Sequence, residues 1–84
     1  MEDFLKFVDD LKRRFPIHVE ITYSKITDWI IIVYQKGRAD DYPGIPRNGS
    51  DAIFAYEQNM DMELCFAKAH VTLKERLLEF NGGY

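Results

Sequence analysis

The run Trp29-Ile30-Ile31-Ile32-Val33-Tyr34 constrains this chain more than any other part of it. Six consecutive apolar residues, four of them β-branched, favour a pleated strand whose neighbouring side chains point to opposite faces. Trp29, Ile31 and Val33 therefore share one face and Ile30, Ile32 and Tyr34 the other, so both faces need cover. Such a strand belongs inside a sheet, with paired edges. The run is too short to span a bilayer, which takes about 20 residues.

The flanking segments supply the rest of the sheet. In residues 17–24, Ile17, Val19, Ile21 and Tyr23 alternate with His18, Glu20, Thr22 and Ser24. That is a half-buried strand with one wet face. The link Lys25-Ile26-Thr27-Asp28 is short enough to require an antiparallel hairpin into a strand over 29–36. Residues 51–57 read as a third strand, with Ala52, Phe54 and Tyr56 on one face and Ile53, Ala55 and Glu57 on the other. Between them, Gly37, Pro43, Gly44, Pro46 and Gly49 mark a loop over 37–50, with a tight-turn signal at Asn48-Gly49.

Helices close the chain at both ends. Phe4, Val8, Leu11 and Phe15 recur at helical spacing and predict an amphipathic helix over 2–15, stopped by Pro16. Met62, Phe66, Ala69, Leu73, Leu77 and Phe80 predict a second helix over 60–80, capped by Asn59 or Asp61 and ended at Asn81-Gly82. With 84 residues the expectation is one domain, 1–84, of the α+β class. Its predicted architecture is a two-layer α-β-β-β-α fold: a three-stranded antiparallel meander with both helices on one face.

Composition narrows the function classes. Cys65 is the single cysteine, so no internal disulfide is available, and its place on an apolar helix face marks a buried, unreactive thiol. The acidic Met1-Glu2-Asp3 start lacks the basic region of a signal peptide, which predicts a cytoplasmic protein. Net charge is −3. The excess lies wholly in residues 39–63, where Asp40, Asp41, Asp51, Glu57, Asp61 and Glu63 face Arg47 alone. This disfavours direct contact with nucleic acid, whose affinity rests on cations against phosphates. His18 and His70 are the only histidines, no metal-ligand spacing occurs, and no glycine-rich phosphate loop opens a helix, so neither metal nor cofactor is expected. No nucleophile, acid and base stand in a recognisable arrangement, and the chain reads as non-catalytic.

Two features remain as candidates for contact. Two helices on one face leave the other sheet face open, and the central strand presents an apolar triplet there whichever way it turns; exposed strips of this kind mark contacts. The loop could also bring its carboxylates to a basic protein. The predicted partner-binding residues are Trp29 and Ile31 on the strand and Asp40, Asp41, Tyr42 and Arg47 in the loop. The partner would be a basic protein or a second copy of the chain, forming a homodimer, with no membrane involved. Two other readings are an obligate homo-oligomer that closes its open sheet face, and a small-ligand binder with the 37–50 loop as a lid.

The order helix, three strands, helix resembles the double-stranded-RNA-binding domain. That family carries lysines at the start of its second helix, where this chain has Asn59-Met60-Asp61-Met62-Glu63, so RNA binding does not carry over. The same order with an acidic surface resembles some phage-encoded anti-CRISPR proteins, which occupy the nucleic-acid channel of a nuclease with carboxylates. The segments 20–29 (Glu-Ile-Thr-Tyr-Ser-Lys-Ile-Thr-Asp-Trp), 39–43 (Ala-Asp-Asp-Tyr-Pro) and 61–69 (Asp-Met-Glu-Leu-Cys-Phe-Ala-Lys-Ala) resemble small uncharacterised proteins of phages and mobile elements from Gram-positive bacteria. These resemblances imply a phage or prophage accessory or counter-defence protein that acts by binding another protein.

Overall fold

In a computed structural model, which describes residues 2–84, the doubly apolar run lies in strand β2 (Asp28–Gln35). The full order is helix α1 (Glu2–Leu11), β1 (Ile17–Ser24), β2, a short 3-10 turn (Ala39–Asp41), β3 (Arg47–Asn48), β4 (Asp51–Asn59) and helix α2 (Met62–Asn81). The class is α+β. The antiparallel sheet runs β1-β2-β4-β3, so it has four strands rather than three. The extra strand is the two-residue β3, which folds back on β4 through Gly49-Ser50. Gly49 has φ +64° and Ser50 is not in the positive-φ region, the pattern of a type II′ hairpin turn with glycine first.

Helix boundaries differ from the periodicity for local reasons. Pro16 disfavours helical geometry before it, and α1 unwinds over residues 12–15, where the Arg14 and Phe15 amides both bond the Leu11 carbonyl. At the other end Asp61 is the cap of α2: its backbone is extended, and its Oδ1 accepts from the Leu64 amide at 3.1 Å. Asn59 serves Asp61 in turn, accepting its amide at 2.9 Å. Gly82, at φ +75°, closes the helix in the left-handed conformation.

Register assigns the faces. Val19, Ile21 and Tyr23 stand opposite Val33, Ile31 and Trp29 on one side of the sheet. The ladder between β2 and β4 then shifts: Val33 pairs with Ala55 but Tyr34 with Ile53, leaving Phe54 as the extra residue of a bulge. The expected alternation in 51–57 therefore breaks. Ala52, Phe54 and Ala55 all enter the core, while Ile53 and Tyr56 share the opposite face with Tyr34 and Ile32.

Both helices pack on the Ile31–Val33 side. The core joins Phe4 and Leu11 of α1, Ile31 and Val33 of β2, Phe54 of β4, and Cys65, Phe66, Ala69, Leu73 and Leu77 of α2. Phe4 meets Phe66 edge-on, with ring centres 5.5 Å apart. His70 sits between the rings of Phe4 and Phe7, and its Nε2 has no hydrogen-bond partner. Burial, and after it the Lys74 ammonium, hold the His70 pKa below the ordinary histidine value, with Asp3 pulling weakly the other way. The folded state then binds fewer protons than the unfolded state just below the unfolded histidine pKa, so stability is lost as pH falls through that value. We expect the urea midpoint to drop between about pH 7 and about pH 5 in the native chain and to stay flatter in His70→Gln.

Candidate functional site

The outer face of the sheet is built by residues that register places together. His18, Glu20 and Thr22 of β1 stand opposite Tyr34, Ile32 and Ile30 of β2, which in turn lie beside Ile53, Tyr56 and Gln58 of β4. The helices and the 37–46 loop pack on the other side, so no element of the described chain lies over these residues. Ile30, Ile32 and Ile53 are half-buried by their neighbours alone, and Tyr56 is exposed.

One end of this face is polar and tied together. The Tyr34 hydroxyl donates to Glu20 Oε2 at 3.3 Å and accepts from Asn48 Nδ2 at 3.5 Å. His18 Nε2 lies 3.5 Å from Glu20 Oε1, and its ring stacks on Tyr34 with centres 6.0 Å apart. These neighbours bury Tyr34 to 7% exposure on a face that is otherwise open. Burial, followed by the Glu20 charge, raises the phenol pKa, so the group stays protonated near neutral pH. The cluster can therefore donate and accept hydrogen bonds at the rim of an apolar strip. Nothing in its geometry activates a nucleophile.

The acidic loop is arranged otherwise than a pooled negative patch. Asp41 pairs with Arg38, and Asp40 Oδ1 lies 3.4 Å from Arg47 Nη1. Asp51 accepts the Gly37 amide at 2.8 Å and faces Lys36 Nζ at 3.3 Å, and these contacts lower its pKa. Glu57 accepts from the Thr72 hydroxyl at 3.3 Å. The carboxylates of this segment are thus largely matched by cations and donors of the chain itself.

The residues singled out from the sequence do not form one surface: the loop brings Asp40 to Arg47, while Trp29 and Ile31 lie on the helix side of β2. Asp40, Asp41 and Arg47 are exposed in the loop and at β3. Tyr42 is buried: its ring meets Phe54 edge-on at 4.9 Å, and its hydroxyl donates to Asn81 Oδ1 at 2.6 Å. It pins the loop to the end of α2 instead of facing a partner. Ala39 and Ile45 are buried beside it, so this loop closes the helix-side core and does not lie as a lid over the outer face. Ile31 has no exposure at all, because it points under the helices; the outward triplet is Ile30, Ile32 and Tyr34. Trp29 is half-buried on the helix side and touches Tyr23, with ring centres 5.0 Å apart. Helix cover runs out there, leaving Ile21 at 38% and Tyr23 at 58% exposure.

Sequence reasoning passed over Tyr34, Asn48, Ile53 and Tyr56. The hairpin register places Tyr34 beside His18, and that signal was available in the short 25–28 link. Asn48 reaches the face only because β3 forms, and no periodicity announces a two-residue strand.

The fold and this surface define a small α+β chain with one uncovered sheet face. Comparison with protein-family models, curated proteins and solved structures finds no match for it. Among the described residues, no helix is long and apolar enough to cross a membrane, and no three His, Cys, Asp or Glu side chains are grouped to hold a metal ion.

Proposed function

We propose that this chain is a non-catalytic protein-binding module and that the outer sheet face is its contact surface. The observation that carries this is the placement of Ile30, Ile32, Ile53 and Tyr56 on one face over which no helix or loop packs. Apolar strips beside polar groups that can hydrogen-bond have the anatomy of interfaces, with an apolar centre and a wet rim. Here the rim is His18, Glu20 and Asn48 around Tyr34. The partner is a protein with a complementary apolar patch. Strong basicity is not required of it, since Asp40 and Asp41 are matched within the chain. The proposal extends to the role that the resemblance to phage and mobile-element proteins implies, an accessory or counter-defence protein working by occupancy of another protein.

The test is affinity capture with the intact chain, followed by titration against whichever protein is recovered. Ile32→Glu should weaken that protein's binding by at least about 30-fold, the loss typical of an interface anchor. Asp40→Lys with Asp41→Lys should change it little. Circular dichroism confirms that each variant is folded. Equal binding by native chain and Ile32→Glu would remove the outer face from consideration.

A further inference from the structure

Helix α2 carries a second apolar stripe that its own fold does not use. Its core-facing residues are Met62, Phe66, Ala69, Leu73, Leu77 and Phe80. On the opposite side stand Leu64, Ala67, Val71 and Leu78, and all four are exposed: Leu64 to 44%, Val71 to 56% and Leu78 to 54%. Leu64, Val71 and Leu78 are spaced seven apart, which stacks them on one line along the helix. The stripe spans about 21 Å at 1.5 Å per residue, and it faces away from the sheet.

The spacing is symmetric. Val71 is seven residues from Leu64 and seven from Leu78. Lys68 and Glu75, both exposed, flank Val71 on the same edge at three and four residues. A stripe with this symmetry is complementary to itself when two copies run antiparallel about Val71. Leu64 then meets the Leu78 of a second copy, Val71 meets Val71, and Lys68 meets Glu75 twice. Antiparallel helix pairs use this combination of apolar seam and charged edge to fix direction and register.

We infer that α2 pairs antiparallel with α2 of a second copy of this chain, through Leu64, Ala67, Val71 and Leu78, with Lys68–Glu75 contacts on one edge. In a parallel pair the two Lys68–Glu75 edges would fall on opposite flanks of the seam and could not meet, so the antiparallel direction is the one that uses them. The contact is small, so the dimer is concentration-dependent, in the class of transient interfaces. It stacks the two helical layers back to back and turns the two outer sheet faces away from each other, giving a particle with two free faces. The inference does not depend on what those faces bind.

Sedimentation velocity of the intact chain from about 1 μM to about 1 mM tests it, the range over which a low-area interface associates. A monomer–dimer equilibrium is expected. Val71→Glu should raise its dissociation constant more than about tenfold, because two carboxylates meet at the seam. Lys68→Glu should raise it roughly fivefold by placing like charges on that edge. Lys68→Glu combined with Glu75→Lys should return it to the native value. Circular dichroism on each exposed-site variant confirms folding. A native chain that stays monomeric throughout, or a dimer indifferent to Val71→Glu, overturns the pairing. A double variant that fails to recover overturns the antiparallel register.

Discussion

Phe4→Ala is expected to lower the unfolding free energy by about 3–5 kcal/mol, the usual cost of deleting a buried phenylalanine ring. Phe4 has 1% exposure and packs against Phe66 and His70. A domain of this size holds only about 5–15 kcal/mol in total, so the variant should sit near the edge of folding. The reason for the size of the effect is geometric: α1 is a ten-residue helix, and a helix of that length is marginal on its own in water. It persists only because Phe4 and Leu11 are buried against the rest of the core. Leu5, on the same turn, is 44% exposed, and Leu5→Ala should cost less than about 1 kcal/mol. Urea unfolding followed by circular dichroism compares the two. Equal costs would mean that α1 does not dock through Phe4.

Gln35→Met is expected to act in the opposite direction and to stabilise the chain by about 1–3 kcal/mol. Gln35 closes β2 with 1% exposure, and neither its Oε1 nor its Nε2 has a hydrogen-bond partner. Register puts it opposite Ile17 and Ala52, on the helix side. A buried amide with both ends unpaired carries a desolvation cost of about 1–3 kcal/mol. Methionine keeps the length and flexibility of the side chain while removing both polar atoms. Thermal unfolding should shift upward by about 4–8 °C for each kcal/mol gained. A midpoint that is unchanged or lower would show the amide to be satisfied in solution.

How much of this was legible in the sequence depends on whether the two sides of an element differ. In β1 they do: His18, Glu20 and Thr22 against Val19, Ile21 and Tyr23, and the strand appears at residues 17–24 as expected. The helix faces were equally plain, and Asp61 was readable as a cap from its place before an apolar run. In β2 the two sides are both apolar, so the strand taken by itself does not choose between Ile31 and Ile32 as the outward one, and only its register against β1 carries that signal. The choice is made by α1 and α2, which bury Ile31 and Val33. The bulge at Phe54 was hidden for a related reason. Ala52, Phe54 and Ala55 are all apolar, and an inserted residue in such a run leaves no break in pattern.

The loop misled for a different reason. Polar and turn-forming residues around Tyr42 suggested a surface aromatic, whereas Tyr42 fills the end of the core with Phe54 and Phe80. Its hydroxyl can be buried because Asn81 receives it. Likewise the charge of residues 39–63 read as a block, yet Arg38 and Lys36, just before it, fold onto Asp41 and Asp51. Charge counted along a chain ignores cations that arrive from the flank.

The partners of α1 lie at the far end of the chain. Phe4 rests on Phe66 and His70, and Phe7 on His70 and Tyr84. Helix α1 therefore gains the aromatic part of its cover only once α2 is in place. The hairpin of β1 and β2 can form early, since its strands are neighbours, but α1 must wait, half-formed and with part of its apolar side wet, for α2 to be complete. A break within α2 would therefore cost α1 its anchorage as well.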